Sequence, residues 1–430
     1  EGVVMINFSM KRTNGNLDGR FAGADNGGGG GGLPPVEGGL ATWADNFSYA
    51  GAFKLPKDVG GGTLAFSHGM LGASPTSGNM YISLKDDSAN RGIAEITLPA
   101  LSTSTDINDL NIATELQGRF NLFDTPDGNP ENNDRLGAIY GTGNDIIYSL
   151  IEFYDAPANN TLFFGKAEGA DDFATATLNS QIGIEGDFRA AGWISEVPAN
   201  LQAELGYTHI AGNASNWSII NRASVGPSAY GFNLSDAINR TDPIPTETFQ
   251  SYSLENQIQH NVDPAWSLNN TLDRDAVPIV PQDNDLWTYG SKASFGFIVP
   301  NSRTYAVFGS TFGTETGVGY KNTNAGGLAP GYAPADATDW KFYRWFFDID
   351  DWIAVKNGTK QPHEIVPYEH GEIDLTFKDL RGDVVGVNGL QMRGGMFDAA
   401  TNRVYLSVAN NEQRNQYSPV PLVYAFNIGL

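Results

Sequence analysis

The chain contains no cysteine. That excludes disulfides, thiolate metal sites and cysteine nucleophiles together. Only five histidines occur, at 68, 209, 260, 363 and 370, and no two have the spacing of a metal pair on one element. Basic side chains are scarce, 26 against 49 acidic ones, for a formal charge of −23. Such a field repels phosphate backbones, so nucleic acid and anionic membrane surfaces are poor partners. No apolar run approaches the roughly 18 residues that a membrane helix needs. The chain also lacks an initiating Met and a charged-then-apolar leader, so the expectation is a trimmed, secreted product. Sharp catalytic signatures are missing too: no G-x-x-x-x-G-K-[ST], no H-E-x-x-H, no G-x-S-x-G and no dinucleotide fingerprint.

What remains is a large, folded composition, 430 residues with 40% hydrophobic and 11% aromatic side chains. Short β-branched and aromatic runs alternate with Gly, Asn, Asp and Pro clusters, an all-β pattern. Two short helices stand out. "VPANLQAELG" has Pro198 near its start and Gly206 just past its end. "DDWIAVKNG" offers an Asp cap at Asp350 or Asp351 and a stop at Gly358.

A degenerate repeat organises the strands. Its half-unit is a small residue, an apolar strand, a polar turn and a strand with an aromatic. It recurs at Leu71–Leu84, Leu136–Phe153, Phe295–Ser310 and Arg393–Ala409. The turns fall at equivalent places: Ser77-Gly78-Asn79, Gly143-Asn144-Asp145, Asn301-Ser302 and Ala400-Thr401-Asn402. Each half-unit leads into a further alternating strand, as in "RGIAEITLPAL" and "PLVYAFNIGL". A fifth unit runs from "AAGWISEVP" to "SAYGF", and a large insertion covers Asn239–Tyr289. Three strands and a tail are most of a four-stranded antiparallel blade, and blades in a ring hide sheet edges. The predicted fold is an all-β β-propeller over residues 40–430, counted at five blades with six or seven left open. A jelly-roll or sandwich array is the competing reading. "FSYAGAFKLP" (Phe47–Pro56) is expected to close the ring beside "VYAFNI" (Val423–Ile428).

The strings "FSYAGAFKLP", "NMYISL", "IAEITLPAL", "GPSAYGF" and "DWIAVKNGTKQPHEIVPY" resemble a family of uncharacterised secreted bacterial β-propeller-like proteins over about residues 47–428. The resemblance implies a propeller in an extracellular setting and no particular reaction.

The N-terminus differs from the body. Residues 1–23 hold an apolar segment, "GVVMINFSMKR", which reads as a strand. Residues 24–39 form a tether containing Gly27, Gly28, Gly29, Gly30, Gly31 and Gly32. The glycines run into Leu33-Pro34-Pro35 and not into a helix, so they are no phosphate cradle. As a flexible coil, 16 residues span about 20–24 Å on average. The arm through Arg20 is mildly basic, and the body is strongly acidic. Val3, Val4, Met5, Ile6 and Phe8 are therefore predicted to form a strand donated to a neighbouring subunit, making homo-oligomers or filaments. Self-docking and a disordered spacer are the other readings.

Oxygen ligands fall at every second residue in "DTPDGNPENND". Asp127, Asn129 and Glu131 are candidate calcium ligands, against the plainer reading of a solvated acidic turn. For a polysaccharide lyase, Tyr154, His68 and Arg222 are conceivable as base and cation. A carboxylate pair for glycoside hydrolysis has no location among 49 acids. The aromatic run Asp339–Trp352 reads as blade core before sugar platform. The functional expectation is a secreted structural or binding protein that assembles with itself, leaning away from catalysis. The alternatives are a carbohydrate-active enzyme, lyase or hydrolase, and a glycan-binding lectin with exposed aromatics repeated across blades.

Overall fold

A computed structural model of the protein describes residues 38–76, 78–87, 90–124, 129–155, 157–168, 181–215, 222–258, 286–315, 318–320, 332–334, 339–377, 391–413 and 419–429. The donated-strand residues Val3, Val4, Met5, Ile6 and Phe8 and the tether glycines lie outside these residues, as does Asp127.

Strands dominate. A one-turn helix, α1 (Trp43–Asn46), leads into β1 (Phe47–Lys54), which is followed by a small hairpin, β2 (Asp58–Val59) and β3 (Gly62–Thr63). Five four-stranded antiparallel meanders then account for nearly all the described strands. Meander I is β4 (Leu71–Ala73), β5 (Asn79–Ser83), β6 (Ile93–Thr97) and β7 (Glu115–Phe120). Meander II is β8 (Arg135–Thr142), β9 (Asp145–Ile151), β10 (Leu162–Glu168) and β11 (Ile182–Gly183). Meander III is β12 (Trp193–Glu196), β13 (His209–Gly212), β14 (Ala229–Phe232) and β15 (Glu247–Gln250). Meander IV starts with β16 (Lys292–Ile298) and β17 (Thr304–Phe312). After the hairpin β18 (Val318–Tyr320) and β19 (Tyr332–Pro334), it ends with β20 (Trp340–Asp348) and β21 (Glu369–Glu372). Meander V is β22 (Gln391–Asp398), β23 (Arg403–Gln413) and β24 (Pro419–Ile428), with β1 as its fourth strand.

The first strands touch in cyclic order, β4 to β8, β12, β16, β22 and back to β4. β4 and β8 also pair in parallel, through Gly72↔Ile139 and Ala73↔Tyr140. This is the arrangement of a β-propeller, with first strands around a central axis and later strands toward the rim. β1 pairs antiparallel with β24 from Phe47↔Ile428 to Lys54↔Leu422, as the sequence led us to expect. Val36–Leu430 forms one compact unit.

Local chemistry explains the repeat. In four meanders the first hairpin turns on a residue of positive φ: Gly78 (+85°), Gly143 (+54°), Asn301 (+52°) and Asn402 (+52°). Gly and Asn enter the left-handed region at least cost. Meander III departs from the pattern because a helix, α2 (Ala199–Leu205), replaces its tight turn. Gly206 ends α2 at φ +83°, as anticipated. The second expected helix spans Ile349–Lys356, and its cap is Asp348, whose side chain accepts from the Asp350 amide. The assignment to Asp350 or Asp351 is corrected, because the chain leaves β20 directly into the first helical turn. The supposed insertion Asn239–Tyr289 contains β15, the fourth strand of meander III.

Meanders pack face to face. Ile147, Phe163 and Phe164 of meander II meet Ile194, Ala211 and Phe232 of meander III. Phe53, Val423 and Tyr405 of meander V meet Met80, Ile82 and Ile96 of meander I. Phe342, Tyr343, Trp345, Phe346, Phe347 and Trp352 are buried, so the aromatic run is core and not a platform.

Candidate functional site

The first strands begin at one end of the axis, and residues at their starts line a narrow recess. Met70 precedes β4, Arg135 opens β8, Gly192 precedes β12, Lys292 opens β16 and Arg393 stands near the start of β22. His68 completes the wall. The void is small, about 20 Å³, room for the centre of roughly one water. Midway along the strands Leu71, Ala138, Trp193, Phe295 and Gly395 narrow the axis further. At the far end it opens into a chamber of about 470 Å³ walled by Ile139, Ile194, Phe297, Met396 and Phe397. The larger space is mostly apolar; the ionisable groups converge at the smaller one.

Backbone irregularity aims some of them. The β22–β23 register shifts between Met392 and Gly394, so Arg393 is the extra residue of a bulge. Equivalent shifts bracket Gly137 in β8 and Ser294 in β16. Bulges re-aim side chains, and the bulged residue in β22 is a recess-lining cation. Serines hold neighbouring meanders at this level. Ser149 Oγ donates to Ala191 O at 2.6 Å, Ser294 Oγ donates to Met392 O at 2.7 Å, and Ser407 Oγ donates to Gly69 O. The Met392 amide donates to Ser310 Oγ at 3.0 Å.

Asp86 joins two of the recess residues. Asp86 Oδ2 lies 2.9 Å from His68 Nδ1 and 3.0 Å from Arg135 Nη1. Burial opposes its charge, but the His68 hydrogen bond and the charge and hydrogen bond of Arg135 hold its carboxyl below the ordinary range. With Nδ1–H donated to Asp86, the lone pair of His68 falls on Nε2. Burial, and the charge of Arg393, push the His68 pKa down, so the ring is neutral at pH 7. The side chain lines the recess and is 34% exposed. Arg135 Nε is buried with no hydrogen-bond partner among the described residues. Arg393 makes no side-chain hydrogen bond or ion pair among them, and burial pushes its pKa down to about 10. Lys292 is held well below its usual value by burial first and by Arg393 and Arg135 next. Each of these penalties on positive charge would be relieved by an anion in the recess.

The residues singled out from sequence fare unevenly. His68 is in the recess, but no bond or ion pair among the described residues joins it to Tyr154 or Arg222. Tyr154 is a surface residue, 62% exposed. Arg222 is ion-paired with Asp155, and its Nη2 donates to Asn160 O at 3.1 Å. Arg135, Lys292, Arg393 and Asp86 were not anticipated. Their signal is a charged residue opening an apolar strand, as in "RLGAIYG", "KASFGFI" and "QMRGGMF". In the proposed calcium loop, Glu131 accepts from the Thr161 and Leu162 amides at 2.9 and 2.7 Å. Asn129 exchanges two hydrogen bonds with Asn133. Among the described residues no group of three His, Asp or Glu is placed to hold a metal. Among the described residues no Asp or Glu lines the recess itself; Asp86 and Asp134 approach Arg135 from outside it, at 3.0 and 3.8 Å.

No family model matches the chain, and no curated protein does. Among solved structures it is similar to a Bacteroides ovatus protein described as "Xyloglucan PUL GH43B", at 7% identity over 88% of this chain, TM-score 0.38. The chain spans 56% of that protein's length. A thermostable family-43 glycoside hydrolase aligns at 10% identity over 85% of this chain and 90% of its own, TM-score 0.38. A Dyadobacter fermentans protein of unknown function aligns at 6% identity over 89% and 100%, TM-score 0.35. Overlaps this shallow carry neither the activity nor the detailed architecture of those proteins to this chain.

Proposed function

We propose that the protein is a carbohydrate-active propeller whose recess receives the carboxylate of an acidic sugar and eliminates the bond beside it. The observation that carries this reading is the His68–Asp86 pair, with His68 lining a recess together with Arg135, Lys292 and Arg393. In a chain of net charge −23, such a concentration of cations is a local inversion of the whole molecule's field. The chemistry follows. The cations hold the carboxylate of a 4-linked uronate and stabilise charge that builds on it. Neutral His68 takes the proton on the carbon α to that carboxylate. The C4–O4 bond breaks as a C4=C5 double bond forms, and the imidazolium returns its proton to the departing oxygen. Atoms balance without any other reactant.

The test is incubation with 4-linked polyuronates, followed by the ultraviolet absorbance of the conjugated double bond. Absorbance should rise with the native protein and fall by about 10²–10⁴-fold in His68→Ala. Arg393→Gln should weaken uronate binding. If no uronate binds and no absorbance develops, this reading is wrong.

Two finer proposals accompany it. The five meanders and the cyclic contacts of their first strands support a ring of five blades. The apolar segment Val3–Met10 ahead of six glycines supports self-assembly outside the cell as a second role of the same chain.

A further inference from the structure

The chamber at the far end of the axis plays no part in the chemistry proposed for the recess. All five meanders wall it, through Gly72 in I, Tyr140 in II, Ile194 in III, Phe297 in IV and Met396 in V. Its volume of about 470 Å³ falls among those of pockets that enclose small organic molecules. The apolar wall is largely aromatic. Phe297 stacks on Phe295 with centroids 5.8 Å apart, and Phe397 stacks on Phe297 at 4.8 Å and 13°. Phe295 and Phe297 are buried, whereas Phe397 is half-buried.

The charged groups of the chamber have one sign. Glu196 and Asp398 line it, and among the described residues no Lys, Arg or His does. Asp398 is engaged by its own turn: Oδ1 accepts from the Ala400 amide at 3.0 Å, and Oδ2 accepts from Thr401 Oγ1 at 2.6 Å. Glu196 has no side-chain hydrogen bond or ion pair among the described residues. Burial of its carboxyl raises its pKa. Burial, and next the charge of Glu196, raise that of Tyr140, so the phenol stays protonated. The Tyr140 ring is edge-on to His209, and its hydroxyl makes no hydrogen bond among the described residues. A positive charge beside these two groups would relieve the penalty on the carboxylate. A hard metal ion wants about six oxygen ligands or more, which these apolar walls do not supply. An organic cation needs few, and its body matches the aromatic wall.

We propose that the chamber binds a small aromatic amine, its ammonium held by the Glu196 carboxylate and the Tyr140 hydroxyl oxygen, its ring against Phe297, Phe397 and Met396. The site lies at the opposite end of the axis from the recess and does not depend on it. The net charge of −23 draws such cations toward the molecule.

The experiment is calorimetric titration of the full chain with 2-phenylethylamine, which should bind with a Kd of about 1 mM or below. 3-Phenylpropionate has a similar body with a carboxylate head and should bind at least about ten-fold more weakly. Butylamine keeps the ammonium without the ring and should be weaker by a similar factor. Glu196→Gln should lower amine affinity about ten-fold and erase the preference over the acid. Its melting temperature should not change, because the carboxylate holds no other group. Tyr140→Phe should also weaken the amine, and Phe397→Leu should weaken both ring-bearing probes. Arg393→Gln, at the other end, should leave amine binding unaltered. If 2-phenylethylamine does not bind at millimolar concentration, binds no better than the acid, or binds Glu196→Gln equally well, the amine site is refuted and the recess stands. A protein that binds the amine and no uronate keeps this site and loses the recess reading.

Discussion

Single residues set the pH behaviour. His209 is buried in meander III, with Nδ1 3.0 Å from Thr208 Oγ1 and its ring edge-on to Tyr140. Its Nε2 has no partner among the described residues. Burial pushes its pKa down to about 4. The folded state therefore binds this proton less readily than the unfolded chain. The stabilisation is complete above the unfolded value of about 6.5 and is lost as pH falls toward 4. We expect His209 alone to remove roughly 3 kcal/mol of stability over that interval. Urea denaturation at pH 7 and pH 4 checks it: His209→Gln should lose less stability than the native protein. His68 shifts in the same direction, so an activity dependent on its neutral ring should persist below the usual histidine range.

At the scale of elements, the serines and bulges fix how meanders meet. Ser149 is fully buried and satisfies Ala191 O across the boundary between meanders II and III. Ser149→Ala strands that carbonyl, and a cost of about 1–3 kcal/mol is expected in the denaturation midpoint. Gly137, beside it, leaves no room for any side chain: an added Cβ would lie 1.9 Å from Ala191 O. These elements were readable to different depths. The hairpin turns were legible because Gly143, Asn301 and Asn402 are needed for a left-handed backbone, which few other residues supply. Meander III was faint because α2 interrupts it. The recess was almost invisible. Arg135, Lys292 and Arg393 are more than two hundred and fifty residues apart at their extremes, and local pattern does not reveal that a ring brings strand beginnings together. His68 drew attention as a rare residue type, but its partners follow from topology and not from spacing.

For the whole molecule, closure is the decisive feature. β1 pairs with β24 and buries Phe47 against Phe308 and Phe346 of meander IV and Phe53 in the cluster shared with meander I, and large apolar side chains contribute roughly 1.5–3 kcal/mol each when buried. A truncation series separates this strand from the segment before it. Removing residues 1–20 should leave the melting transition and far-UV spectrum unchanged. Removing residues 1–54 should abolish the cooperative transition. Sedimentation of the first truncation against the native chain tests assembly: larger species only with the intact N-terminus support strand donation, and equal monomers refute it. The pairing also has a topological consequence. Asn46 Nδ2 donates to Gly429 O at 2.8 Å, and the Gly429 amide donates to Asn46 O at 2.7 Å. The start of β1 and the end of β24 thus meet within one residue pair, so the polypeptide between them is nearly a loop drawn on an object that is already circular. Where the gene opens that loop is then arbitrary to the fold. A circular permutant joined at Asn46 and Gly429 and cut between two other meanders would encode the same molecule with its parts in rotated order.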